Sequence, residues 1–148
     1  MNTPVSFELA KLLKEKGFNN ECSFFYSVME GEEGKLLPVT SSLEHVMEYS
    51  KKGYKFFDES TDKTLIHQTL RNDYAKGTVT APTIAEVVMW IYNKHGIWVI
   101  SKKVNGLNKW FAQIYKNNAN DLCDTNIINI SPTEAYTAAI EYTLKELI

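Results

Sequence analysis

The chain predicts an α+β fold, an antiparallel sheet with helices packed mainly on one face, and three observations carry that prediction. Two proline-threonine helix starts, Ala81-Pro82-Thr83 and Ser131-Pro132-Thr133, each lead into apolar residues at helical spacing. Between them, Asn105-Gly106 separates two β-prone runs, IWVISKKV and LNKWFAQIYK. That pair is a strong hairpin signal because both turn residues must accept positive φ. Earlier in the chain, CSFFYSVM (residues 22–29) has the aromatic, β-prone composition of a strand. Its 148 residues are one domain's worth of chain, and residues 1–148 are read as a single domain without an internal boundary.

In chain order, residues 3–16 predict a helix with Thr3 as cap, Pro4 in the first turn and Val5, Leu9, Leu12 and Leu13 on one face, ended by Gly17. The strand 22–29 follows, then a Gly-Glu-Glu-Gly turn and a return strand 35–40 that Pro38 demotes to a sheet edge. Ser41 and Glu44 form a capping-box pattern ahead of a short helix stopped by Gly53. Residues 54–58 suit a short strand, and 65–76 either a helix or an ordered loop. The next helix has Ala81 as cap with Pro82 in its first turn, or Thr83 and Glu86 as a capping box one turn later. Ile84, Val87, Val88 and Ile91 form its face and Gly96 closes it. A two-residue turn at Asn105-Gly106 sets Lys102 opposite Lys109, Ile100 opposite Phe111 and Trp98 opposite Gln113. Residues 117–129, rich in asparagine, read as a loop, and Ser131 with Glu134 caps the last helix.

Composition narrows the function classes. Hydrophobic residues at 44% and charged residues at 23% are near globular averages, which argues against disorder. A net charge of −2 argues against a basic footprint over the whole protein, as duplex DNA binding requires. No secretory layout or transmembrane run is present, so a cytoplasmic protein with reduced Cys22 and Cys123 and no membrane partner is expected. The sequon Asn129-Ile130-Ser131 is then a chance match.

Catalytic and cofactor patterns are missing. His45, His67 and His95 are too far apart for a metal-ligand motif, and no metal is expected. Residues 58–69 fail as a calcium loop, because Lys63 replaces the required glycine and Thr69 the closing glutamate. There is no serine elbow, activated cysteine, P-loop or dinucleotide fingerprint, so no catalytic or cofactor-binding residue is assigned and no cofactor is expected.

Two surfaces stand out instead. The hairpin carries large apolar residues on both faces, and Trp98 and Phe111 beside Lys102 and Lys109 have the chemistry to stack bases and hold phosphates. The plain alternative is that this face is core, with the lysines at its wet end. On the preceding helix, Met89 and Trp90 point away from the apolar face and would suit a partner anchor; core packing is the plain alternative there too.

The pieces ELAKLLKEKGF, CSFFY, TAPTIAEVVMWI, IWVI, KWFAQIY and SPTEAYTAAIEYTLKELI resemble an uncharacterised family of short proteins carried by phages and mobile elements of anaerobic gut bacteria. They span most of residues 7–148, the middle being least similar. The resemblance implies an intracellular accessory protein and assigns no activity. The leading expectation is therefore a non-enzymatic phage-related protein acting through protein–protein interaction or self-association. Single-stranded nucleic-acid binding through Trp98, Lys102, Lys109 and Phe111 is the alternative, and a small enzyme of unrecognised type a third.

Overall fold

The computed structural model describes residues 2–39, 48, 51–53, 71–72, 77–116, 122–129 and 131–148, with 122–129 given by backbone alone. The chain is α+β, and its described strands form two antiparallel three-stranded sheets. Its contacts divide it into two compact units, residues 4–82 and residues 83–148 with 1–3. Expected elements at Ser41–Glu44, 54–58 and most of 65–76, and the side chains of His45 and His67, lie outside the described residues.

In the unit 4–82, α1 spans Phe7–Glu15. Its cap is Ser6, whose hydroxyl accepts from Leu9 N–H at 3.3 Å. Thr3 and Pro4 were expected to open the helix, but the chain there is still extended, and Val5 N–H donates to the Pro82 carbonyl at 2.9 Å. The far end matches expectation. Gly17 adopts φ 82, so its N–H reaches Lys14 and that of Phe18 reaches Leu13, a Schellman closure. The φ requirement explains glycine at this position.

β1 (Phe24–Ser27) is the middle strand, flanked by β2 (Leu36–Pro38) and β3 (Thr78–Thr80). Pro38 does lie on an edge strand, where its missing N–H removes no ladder bond from the sheet centre. Alternation along β1 aims Phe25 and Ser27 one way and Tyr26 the other. Tyr26 meets α1: its ring lies 5.4 Å from that of Phe7, and its hydroxyl donates to the Val5 carbonyl at 2.7 Å. Burial pushes the Tyr26 phenol up, which keeps the donor protonated. Asn72 ties the far edge, donating to Phe18 O and accepting from Thr80 N–H. Leu9, Ala10, Leu13, Phe18, Phe25 and Val79 are buried in this unit.

In the second unit, α2 spans Ile84–His95, and the capping box at Thr83 and Glu86 is the start that forms. Glu86 N–H donates to the Thr83 hydroxyl, while Thr83 N–H returns to the Glu86 carboxylate. Two orphan donors are thereby satisfied. Gly96, at φ 66, is the sole residue between α2 and β4 (Ile97–Lys103). β5 (Trp110–Lys116) pairs with β4, and β6 (Leu122–Asn129) pairs with β5. α3 (Pro132–Tyr142) starts at the expected Ser131–Glu134 box and runs on through a π-helical turn, Thr143–Leu147. α3 contacts all three strands, and α2 contacts β4 and α3. The buried sheet face consists of Ile97, Val99, Ala112 and Ile114, and α2 supplies Ile84, Val87 and Ile91 to the same core.

Two expectations are corrected here. Residues 122–129 are a strand, not a loop: polar residues hide it in the sequence, but its backbone completes the β5 ladder. The hairpin register is also displaced by two residues. Leu107 N–H bonds Val104 O and Val104 N–H bonds Lys109 O, so the return strand starts later than a two-residue turn allows. Lys102 therefore faces Phe111 rather than Lys109, and Val99 faces Ile114. The displacement separates two like charges and pairs two buried aliphatic residues, both favourable. Being even, it leaves every side chain on its expected face.

Candidate functional site

Residues of β4 and β5 that face away from the buried core form the candidate surface: Trp98, Ile100 and Lys102 on one strand, Tyr115, Gln113 and Phe111 on the other. Trp98 is 41% exposed. The one-residue link to α2 brings Tyr92 onto it, with ring centroids 4.0 Å apart in a stacked arrangement. Met89, one helical turn before Tyr92, is 47% exposed and extends the apolar row. Tyr115, opposite Trp98, has its hydroxyl 3.4 Å from Lys102 Nζ and donates it to Gln113 Oε1 at 2.7 Å. Tyr115 is thus held along its strand by polar groups at its tip.

Trp98, Lys102 and Phe111 all lie on this outer face, and Lys109 lies level with Val104 at its tip. Trp98 and Lys102 are exposed, and Phe111 is half-buried. Their proposed pairing, Lys102 against Lys109, does not occur. Of the two anchor residues, Met89 is exposed and Trp90 is not: its ring is 6% exposed, with Lys94 Nζ 5.2 Å above it and His95 meeting it edge-on. Trp90 is a core residue because α2 turns that side toward the protein interior. The residue that joins Met89 at the surface is Tyr92, which sequence reading missed. Its spacing, i+3 from Met89, was the available signal.

No family model, curated protein or solved structure matches the chain.

Charge along the chain adds a feature that the overall net charge conceals. Residues 87–120 contain Lys94, Lys102, Lys103, Lys109 and Lys116 and neither Asp nor Glu. The near-neutral total comes from acidic residues elsewhere, but alternation along the strands divides these lysines between the two sides of the sheet, Lys102 on the outer face and Lys103 and Lys116 on the other, while Lys94 lies over Trp90. On β6, Asp124 is in register with Gln113.

Other groups offer less. Cys22 is buried, its thiol 3.5 Å from the Asn20 carbonyl. A cleft of about 380 Å³ at the hairpin tip is lined by Lys103, Val104, Asn105, Gly106, Leu107 and Asn108, with Lys103 its one ionisable group. Among the described residues no three His, Cys, Asp or Glu side chains gather as a metal site, and no helix is long and apolar enough to cross a membrane.

His95, the last residue of α2, has its Nε2 buried without a hydrogen-bond partner. Burial, and then the charge of Lys94, hold its imidazole below the ordinary value of 6.5, outweighing the pull of the helix C-terminus toward the charged form. A histidine with a lowered folded pKa stabilises fully above its unfolded pKa and loses that contribution as pH falls through the folded value. Stability is therefore expected to decline below about pH 6.5. Urea titrations between about pH 7.5 and pH 5 should show a shallower decline in His95→Gln than in the wild type. Identical slopes would assign the pH dependence to other groups.

Proposed function

We propose that this chain is a non-enzymatic accessory protein, of the phage or mobile-element type its sequence resembles, that works in the cytoplasm through protein–protein interaction or self-association. The supporting observation is the continuous exposed row of Met89, Tyr92 and Trp98 at the α2–β4 junction. Large apolar side chains that remain exposed together in this way are characteristic of interaction sites, and Trp and Tyr commonly dominate their energetics. The one-residue link at Gly96 and the Tyr92–Trp98 stack keep the end of the helix beside the start of the strand.

The test compares wild-type chain with Met89→Glu, co-expressed with its neighbouring genes and analysed by affinity purification and light scattering. A stoichiometric partner or a defined self-associated species is expected for the wild type and is expected to be lost in Met89→Glu. A wild-type protein that is monomeric and partnerless under these conditions, or a complex indifferent to Met89→Glu, counts against the reading.

A further inference from the structure

Asn105-Gly106 has a chemical property beside turn formation: of the chain's asparagines, Asn105 alone is followed by glycine. An asparagine side-chain carbonyl lies within reach of the next residue's backbone nitrogen, and attack there closes a succinimide ring. A β-carbon beside that nitrogen, a hydrogen bond holding its N–H, or partners holding the side-chain amide ordinarily prevent it. None of these operates at the hairpin tip. Residue 106 has no Cβ, and one built there would meet nothing within 4 Å. The turn's own bond runs from Leu107 N–H to Val104 O at 3.2 Å and bypasses Gly106, whose N–H donates to no group among the described residues. The Asn105 amide has no partner among them either. Both residues are exposed, and both line the open cleft of residues 103–108, where water reaches them.

We propose that Asn105 is a site of spontaneous covalent modification, at which the folded chain deamidates through a succinimide. The Gly106 nitrogen, its proton lost to hydroxide, attacks Asn105 Cγ, and the Cγ–Nδ2 bond breaks. Nδ2 takes up a proton from water and leaves as ammonia. Water then adds to either carbonyl of the ring and opens it, which gives aspartate or isoaspartate at 105. Water is the only reactant consumed. Either product sets a carboxylate on a tip flanked in sequence by Lys103 and Lys109. Isoaspartate also adds a carbon to the main chain inside the turn, which alters the spacing that the Leu107–Val104 bond spans. The site lies beyond the end of β4 opposite to Trp98, so it stands independently of the proposed protein-binding row.

The test is to incubate the folded protein in neutral and in mildly alkaline buffer, then digest it and quantify both products by liquid chromatography and mass spectrometry. Asn108 is the internal control, since it is also exposed on this tip but precedes Lys109, whose Cβ crowds the attacking nitrogen. Conversion at Asn105 is expected to exceed that at Asn108 by about tenfold or more. It should run faster in the alkaline buffer, and isoaspartate should accompany aspartate. Gly106→Ala is expected to slow conversion at 105 by about tenfold. Alanine is strained at the φ of 74 that Gly106 adopts, so thermal melts check that variant, and the wild-type comparisons stand without it. Equal conversion at 105 and 108 overturns the proposal, as does aspartate without isoaspartate. So does a rate in the native protein about tenfold or more below that in urea, which would mean that the folded turn shields Asn105.

Discussion

Phe25→Ala is expected to destabilise the unit 4–82 by about 3–5 kcal/mol. Phe25 is fully buried on the middle strand of its sheet, with Leu37 in register on one side and Thr80 on the other. Neither neighbouring strand exceeds three residues, so the sheet has little else with which to close the void. The adjacent residue supplies the control. Phe24 points to the opposite face and is 37% exposed, so Phe24→Ala is expected to cost less than about 1.5 kcal/mol. Phe25→Leu, which retains most of the volume, should restore much of the loss. Urea denaturation of the three variants measures this, and equal effects at 24 and 25 would refute the assignment of faces along β1.

The second large effect tests the other sheet by the same alternation. Val99 is 2% exposed and faces Ile114, which is also buried. Val99→Asp places a carboxylate in that apolar layer with no cation to pair it, and a cost of about 4 kcal/mol or more is expected. Against a typical total of about 5–15 kcal/mol, such a loss leaves a substantial unfolded population. Trp98→Asp, one residue earlier, is expected to cost about 1–2 kcal/mol, mainly the stack with Tyr92 and the half-covered ring. Circular-dichroism melts should therefore show a cooperative transition for Trp98→Asp and little or none for Val99→Asp. The reverse order would put the core on the wrong side of the sheet.

Local chemistry made some of this molecule legible in its sequence. Glu86 three residues after Thr83, and Glu134 three after Ser131, announce their helices because a capping box is complete within four residues. Gly17 and Gly96 end helices because the backbone there must turn left-handed. Which residues share a face of each hairpin strand was equally readable, since period-two alternation survives an even slip; which of the two faces is buried was not, because both carry large apolar residues. What escaped depended on partners distant in sequence. β3 is three residues long, with threonine on either side of a single valine, and becomes a strand only because β1 offers an edge. β6 carries too many polar residues to announce itself and exists through its ladder with β5. The hairpin register depended on which residues cross-strand packing favours, and a strong turn signal does not contain that information.

At the candidate site the same division holds. Trp98, Lys102, Lys109 and Phe111 were readable as one face from alternation alone. Trp90 was left open between core and surface, and Tyr92 was missed, because both depend on how α2 is rotated about its axis, which its neighbours decide. The lack of Asp and Glu over residues 87–120 was present in the sequence throughout, but a whole-chain charge sum averages it away.

The single glycine between α2 and β4 has a mechanical consequence. One residue leaves only two backbone torsions for the helix and strand to move independently, and Tyr92 stacked on Trp98 braces even those. A force applied to the Trp98 ring is therefore felt at once by the last turn of α2, and the two elements respond as a stiff elbow with its joint at Gly96. Whatever docks on the sheet is in mechanical contact with the helix.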